Sequence, residues 1–389
     1  MNPIVNKIKT LNVLLVILVS VLLLSFHTYL IYFINSSFLS GFLPSTQMAT
    51  VYIVGAIINI IMFLLVPKYL RKRGNFRLIV MLATIEMAVL FGIAFVSWTP
   101  AVLLFFIIQQ GISPIIFYCL DIFLEQSTES NYVGSIRGLY LTMFNLAPII
   151  TPIIVGLVLA TSAEYWKIYL MSALFLIPFL LIILLNFRKF KDPEYPQIDI
   201  KKTLHHFAKS KNVYNVFIDH FLLSFFYCWM VIYMPIYLIQ KIGFNWEEVG
   251  VILSIALLPF IIFQIPIGKI EDIKHDERMV LIFGFLIMAF SVALIPFITE
   301  KSMVLWSVIL FVSRIGASVV EVSTETYFFK HVKSTNAGYI SLFRMTRNMS
   351  FLIVPILAGI TTFAIGMQYS WIVLALIMLV GVRYTAKLT

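Results

Sequence analysis

Charge is scarce in this chain: of 389 residues only 12% are Asp, Glu, Lys or Arg, while 61% are hydrophobic. A soluble domain carries about 25% charged residues, so a water-solvated fold is excluded. Cysteine is nearly absent too. Cys119 and Cys228 both fall inside long apolar runs, and neither a disulfide framework nor a metal-ligand spacing can be built from them. No phosphate-binding loop of the G-x-x-x-x-G-K-[ST] kind occurs, and no polar region is large enough for a nucleotide domain. The apolar runs also lack the alternating polarity of membrane-spanning strands. They are continuous and helix-length, as a hydrocarbon core of about 30 Å requires about 20 apolar residues, and the mean hydropathy is +0.99.

Twelve such runs can be marked. In the first half they cover roughly 11–34, 47–66, 77–97, 101–125, 137–160 and 166–187; in the second, roughly 214–239, 247–267, 279–298, 303–329, 337–363 and 368–386. The expected fold is an all-α polytopic membrane protein with twelve transmembrane helices. Most connections are short, which makes sequence neighbours antiparallel. The exception is a polar stretch containing Pro193 and Pro196, so the expected organisation is a six-helix bundle over 1–187, a linker over 188–213 and a second six-helix bundle over 214–389. The first run exceeds the apolar core of a signal peptide, about 7–15 residues, and is expected to be retained.

A net charge of +10 could suggest nucleic acid, but its placement argues otherwise. With the N-terminus inside, cytoplasmic ends and loops hold most of the cations, among them Lys68, Arg71, Lys72, Arg73, Arg188 and Lys189. The outer side has only Lys167, Lys241 and Lys301. This is the positive-inside pattern, and it puts both termini in the cytoplasm and the chain in the plasma (inner) membrane. Within the linker, Ile200, Leu204 and Phe207 share one helical face among Lys and His. That pattern suits a short helix on the anionic inner leaflet, or equally a solvated linker.

The two halves repeat. LSF at 24–26 recurs at 223–225, and PIIVG at 152–156 recurs as PILAG at 355–359. Asp121, Glu125 and Gly138 recur as Glu321, Glu325 and Gly338, and PKYLRKRGNFR at 67–77 aligns with GKIEDIKHDER at 268–278. All offsets fall near 200 residues, which argues for two copies of a six-helix unit related by a pseudo-two-fold. Parallel repeats of this kind are a transporter architecture with a site near the midplane.

With these features the chain resembles the major facilitator superfamily of secondary transporters over nearly its whole length. The most specific local likeness is the family's G-x-L-x-D-x-x-G-R-R loop between spans two and three, echoed between spans eight and nine. Gly268, Ile270, Asp272 and Arg278 carry it in the second half, and Gly74 and Arg77 in the first. The resemblance implies gating loops at these positions. Gly268 would let helices approach closely, and Asp272 would face a helix N-terminus or an Arg. The first copy departs from the pattern, with Arg71 in place of Asp and Pro67 in place of Gly; in the second, His275 replaces the second Gly.

Polar residues inside spans are costly in lipid and are functional candidates by default. Arg314 and Glu321 lie on one face of span ten, and Arg344, Arg347 and Asn348 follow in span eleven. Antiparallel packing would set Glu321 or Glu325 against Arg344 or Arg347, as a salt-bridge gate or as a site for an anionic group or a proton relay. Arg314 is the better ligand candidate because its guanidinium fork suits a carboxylate or phosphate. His27, a residue type that changes charge near neutral pH, is either a proton or substrate contact or a hydrogen-bonded core residue. Glu86, halfway along span three, is a further proton candidate, on a helix often peripheral in this fold. Gln109, Gln110, Asn145, Tyr227 and Trp229 are neutral donors to substrate, or else interhelical hydrogen-bonding and packing groups. Asp121 and Glu125 are expected to pair structurally with Arg137 or the basic loop.

The expected function is transport of a small organic solute by alternating access, proton-coupled, as efflux or uptake. The substrate would be anionic, zwitterionic or amphipathic. Protons and membrane lipids are the other partners, with no nucleic acid, no cofactor and a monomeric state. Two alternatives remain: a polytopic membrane enzyme acting on lipid-linked substrates through His27, Glu321 or Asp121, and a non-transporting receptor or scaffold on a transporter fold.

Overall fold

The computed structural model describes residues 3–32, 34–39, 41–43, 45–159, 164–195, 207, 209–274, 276–333 and 335–388. His275 and most of the proposed linker helix lie outside them. Among the described residues regular structure is helical throughout: α1 (Pro3–Tyr32), α2 (Asn35–Leu39), α3 (Ser45–Arg73), α4 (Asn75–Phe95), α5 (Thr99–Ser127), α6 (Val133–Leu159), α7 (Tyr165–Asn186), α8 (Lys211–Tyr237), α9 (Trp246–Leu257), α10 (Pro259–Ile262), α11 (Gln264–Lys274), α12 (Glu277–Leu294), α13 (Met303–His331) and α14 (Ala337–Thr385). Short 3-10 or π turns occur between some of them.

Among the described residues eleven segments are long and apolar enough to cross a bilayer. The last, α14, has 49 residues. At 1.5 Å per residue it would run about 74 Å, more than twice a hydrocarbon core. Gly366 resolves the excess: its φ of 81° and ψ of 155° leave the helical region and split α14 into two helices. With α14 counted as two helices, the segments of this kind among the described residues number twelve. Span eight is also subdivided, because Pro259 at the start of α10 removes a backbone donor and Phe263 ends that short turn. Long apolar side chains cover the outer helix faces. Leu157 is 74% exposed, Leu185 81% and Phe363 95%, a surface suited to lipid rather than water.

The charged stretches expected as loops are mostly helix. In the first, α3 ends on Arg71, Lys72 and Arg73, cations that complement the negative end of the helix dipole. A single residue, Gly74, turns the chain with φ 78° and ψ 165° before α4 begins. In the second, α11 runs to Lys274 and α12 starts at Glu277, with the Asp276 carboxylate accepting from the Met279 amide as its cap.

Contacts divide the chain into two compact units. One holds Met1–Thr128, Met143–Ile200 and Lys333–Arg344; the other holds Glu129–Thr142, Lys201–Val332 and Met345–Thr389. In the first unit α1 packs on α5 and α7, and α4 on the same two helices. Phe26 of α1 and Phe175 of α7 stack at 5.5 Å there. In the second unit α13 is central, packed by α8, α9, α11 and α12. The first turns of α6 belong to the second unit and the rest of α6 to the first.

Candidate functional site

Three fully buried polar side chains meet in the first unit. His27 of α1, Glu86 of α4 and Ser172 of α7 are all 0% exposed. The Glu86 Oε1 atom lies 3.2 Å from His27 Nε2 and accepts from Gln109 Nε2 of α5, also at 3.2 Å. On the other side of the imidazole, Ser172 Oγ is 2.8 Å from His27 Nδ1 and donates to the His27 carbonyl at 2.8 Å. Glu86 Oε2 and Gln109 Oε1 have no hydrogen-bond partner among the described residues. A carboxyl group is thus held in the apolar interior by an imidazole and an amide, with one oxygen left over. Helix α4 is no peripheral bystander here; it supplies the acid.

The first unit also contains an ion pair between distant parts of the sequence. Arg344 donates from Nε to Asp121 Oδ2 at 2.6 Å and from Nη2 to Asp121 Oδ1 at 2.9 Å. This two-bond fork fixes both position and orientation. Close by in sequence, the Tyr118 hydroxyl donates to the Ala337 carbonyl at 2.9 Å.

In the second unit the first turn of α6 is capped by a remote carboxylate. Asp272 of α11 accepts from the Gly134 amide at 2.8 Å, the Ser135 amide at 2.7 Å and the Ser135 hydroxyl at 2.6 Å. The helix backbones almost touch, since a Cβ on Gly134 would overlap the Gly268 carbonyl and a Cβ on Gly268 the Gly134 carbonyl. The spacing of glycine and aspartate four residues apart on α11 therefore serves one contact: Gly268 admits the α6 backbone and Asp272 satisfies its free amides. Lys330 stands 3.9 Å from Asp272 and pairs with Glu277.

One turn further along α6, Arg137 is buried at 2% exposure, its guanidinium 3.3 Å above the Phe329 ring and 3.6 Å from Glu325 of α13. The same carboxylate lies 3.8 Å from His220 Nε2 of α8, whose Nδ1 is 2.7 Å from the Thr346 hydroxyl. Glu321 accepts from the Gln264 amide at 2.6 Å, and Glu271, wholly buried, accepts from the Ser323 hydroxyl. Arg314 of α13 sits over the Phe226 ring at 5.1 Å, with Nη1 lacking an acceptor among the described residues. Tyr227 is its electrostatic neighbour. The buried Trp229 indole N–H, one helical turn beyond Phe226, likewise has no acceptor there.

The charge partners differ from those suggested by helix order alone. Arg344 is held by Asp121 and Glu325 by Arg137; the acids and bases of spans ten and eleven meet residues of spans four and five. Arg347 and Arg278 are exposed, as is Arg77 beside Gly74. Gln110 and Asn145 are half-buried, with Gln110 packed where a Cβ on Gly55 would strike it. The sequence did not single out Glu271 or His220, and it offered Arg137 to Asp121 or Glu125, whereas Arg137 lies against Glu325. Glu271 falls in the charged stretch after span eight, where no local pattern marks it as buried; for Arg137 the signal was its place at the edge of an apolar run.

The sequence profile described as the Major Facilitator Superfamily matches residues 110–338 and 223–387. No curated protein matches the sequence. Among solved structures, the chain is similar to a bacterial homologue of the iron transporter ferroportin in an outward-facing state, with TM-score 0.81 and 13% identity over 97% of this chain and 99% of that one. It is similar to the human organic anion transporter TETRAN, at TM-score 0.79 and 13% identity over 99% and 100% of the two chains. The E. coli fucose:proton symporter gives TM-score 0.76 and 14% identity over 98% and 99%. The profile covers more than half of the chain, and the fold is shared end to end with transporters of the same architecture: this multi-pass membrane protein belongs to the major facilitator superfamily.

Proposed function

We propose that the protein is a secondary active transporter that moves a small organic solute by alternating access and couples that movement to protons. The observation that carries the proton coupling is the His27–Glu86 pair, sealed from solvent and backed by Gln109 and Ser172. An isolated carboxylate in the hydrocarbon interior costs several kcal/mol, so its charge must be matched by a partner or removed by a proton. His27 offers the first and the unpartnered Oε2 the second. The proton-coupled E. coli fucose symporter, which shares the fold, supports the same reading.

Arg314 and Trp229 indicate the substrate class. Both are buried donors short of an acceptor among the described residues, and a carboxylate or phosphate on the solute would supply one. The similarity to an organic anion transporter points the same way. In this reading the halves 1–187 and 214–389 rock about a central path, the termini are cytoplasmic by the positive-inside pattern, and Asp272, Arg137 and Arg344 belong to contacts that close one side.

The test is a proteoliposome assay with a trapped pH dye and pools of organic anions, sugars and amphipathic compounds. A pool that moves protons with wild type and moves none with Glu86→Gln supports the coupling site, and the sign of the pH change distinguishes symport from antiport. Substrate flux that continues unaltered in Glu86→Gln, protons included, overturns it.

A further inference from the structure

The end of α3, the start of α4 and the segment after α7 line an open cavity of about 670 Å³, apart from every cluster described above. Four guanidinium groups line it: Arg71, Arg73, Arg77 and Arg188. All four are exposed, and none has an ion-pair or hydrogen-bond partner among the described residues. The acids on the wall are Asp192 and Glu194. Asp192 is already committed, because its Oδ1 accepts from the Asn75 amide at 2.7 Å and from the Tyr195 hydroxyl at 2.9 Å. Burial and the neighbouring carboxylate push the Tyr195 hydroxyl well above its usual range, so it remains a donor to Asp192.

The cap on α4 thus comes from the segment after α7, and the residue in the family's aspartate position, Arg71, is a cation facing the cavity. Four cations against two acids leave the cavity with a surplus of positive charge. Leu70, Phe76 and Phe190 add apolar lining; Phe190 is anchored edge-on against Phe123 at 4.7 Å. Cations beside apolar side chains, at the end of membrane-spanning helices, are the chemistry that recognises an anionic head group with glycerol or acyl carbon attached.

We propose that this cavity binds a phosphate-bearing anion, and that the bound anion bridges the α3–α4 turn to the segment 188–195. The bridge adds to the single Asp192 strap and stiffens the junction where the first half of the chain enters the linker. The phosphate has two sources, a phospholipid head group or a soluble phosphate, and the guanidinium contacts are the same for both. This site is independent of the substrate and proton assignments above.

The experiment is native mass spectrometry of the detergent-purified full chain titrated with phosphatidylglycerol or phosphatidylcholine, with melting temperature in inorganic phosphate as the second arm. Wild type retains phosphatidylglycerol over phosphatidylcholine. Arg71→Gln/Arg188→Gln lowers that preference about 30-fold, two basic side chains' worth of attraction to an anionic lipid. The pair Arg383→Gln/Lys387→Gln removes two exposed cations from the C-terminal end of α14 and its tail, outside the cavity, and leaves the preference intact. A lipid source gives the phosphatidylglycerol result with no phosphate-induced shift in melting. A soluble source gives a phosphate-induced rise in wild type that the Arg71/Arg188 variant lacks. The proposal is overturned if that variant binds phosphatidylglycerol like wild type and responds to phosphate like wild type, or if wild type discriminates neither lipid nor phosphate.

Discussion

Replacing Asp272 by Asn isolates the cap on α6. The carboxylate receives three donors, the Gly134 and Ser135 amides and the Ser135 hydroxyl, at 2.6–2.8 Å, and its side chain is only 7% exposed. A hydrogen bond to an ionised group is worth about 1.5–3 kcal/mol, and a negative charge at a helix N-terminus adds about 0.3–1 kcal/mol. Asparagine keeps one acceptor oxygen, so at least one of the three donors must then face an NH2 group. The expected loss is about 2–4 kcal/mol, or roughly 30- to 700-fold in the local opening equilibrium. Hydrogen–deuterium exchange reads it directly as faster exchange of the Gly134 and Ser135 amides. The Asn75 amide, bonded to Asp192 at 2.7 Å, serves as an internal control that keeps its rate. Exchange at Gly134 and Ser135 that is unchanged in Asp272→Asn would refute the cap.

Two further substitutions probe charge and backbone. Arg137→Met leaves Glu325 buried without its guanidinium and is expected to cost about 3–5 kcal/mol, seen as a lower melting temperature in detergent. Arg137→Met/Glu325→Leu recovers most of the loss; a double variant no better than the single one would show that the pair is not an energetic unit. Gly74→Ala places a methyl group at φ 78°, ψ 165°, a backbone region costing about 1–3 kcal/mol for other residues, and drives it into the Asp192 carboxylate. Its signature is faster exchange of the Asn75 amide with Gly134 and Ser135 unaffected, and a wild-type rate at Asn75 would contradict the geometry.

The membrane fold was legible because each crossing needs its own apolar run, and a run is a local property. The boundary at Gly366 was legible for the same reason, as the gap between two runs in a helix that is otherwise continuous. Ion partners were not. Antiparallel spans ten and eleven offered Glu321 and Glu325 to Arg344 or Arg347, yet the Arg344 fork closes on Asp121, some two hundred residues away in sequence. Charge pairing in a low-dielectric interior is decided by which helices touch, and nothing in the spacing along one helix carries that information. Asp192 is the plainest case: a carboxylate in a polar stretch after α7 has no local pattern, but it caps α4 across the turn made by Gly74.

By itself the sequence determined the class of the protein. Sparse charge, helix-length apolar runs, a repeat near 200 residues and cations gathered on alternate connections each follow from composition and order, because the bilayer imposes its rules one segment at a time. Tertiary structure decided which groups meet within that frame. It set Glu86 against His27, turned the glycine–aspartate spacing of α11 into a cap on α6, and left four arginines around one cavity, since each of these depends on side chains brought together by packing between helices far apart in the chain.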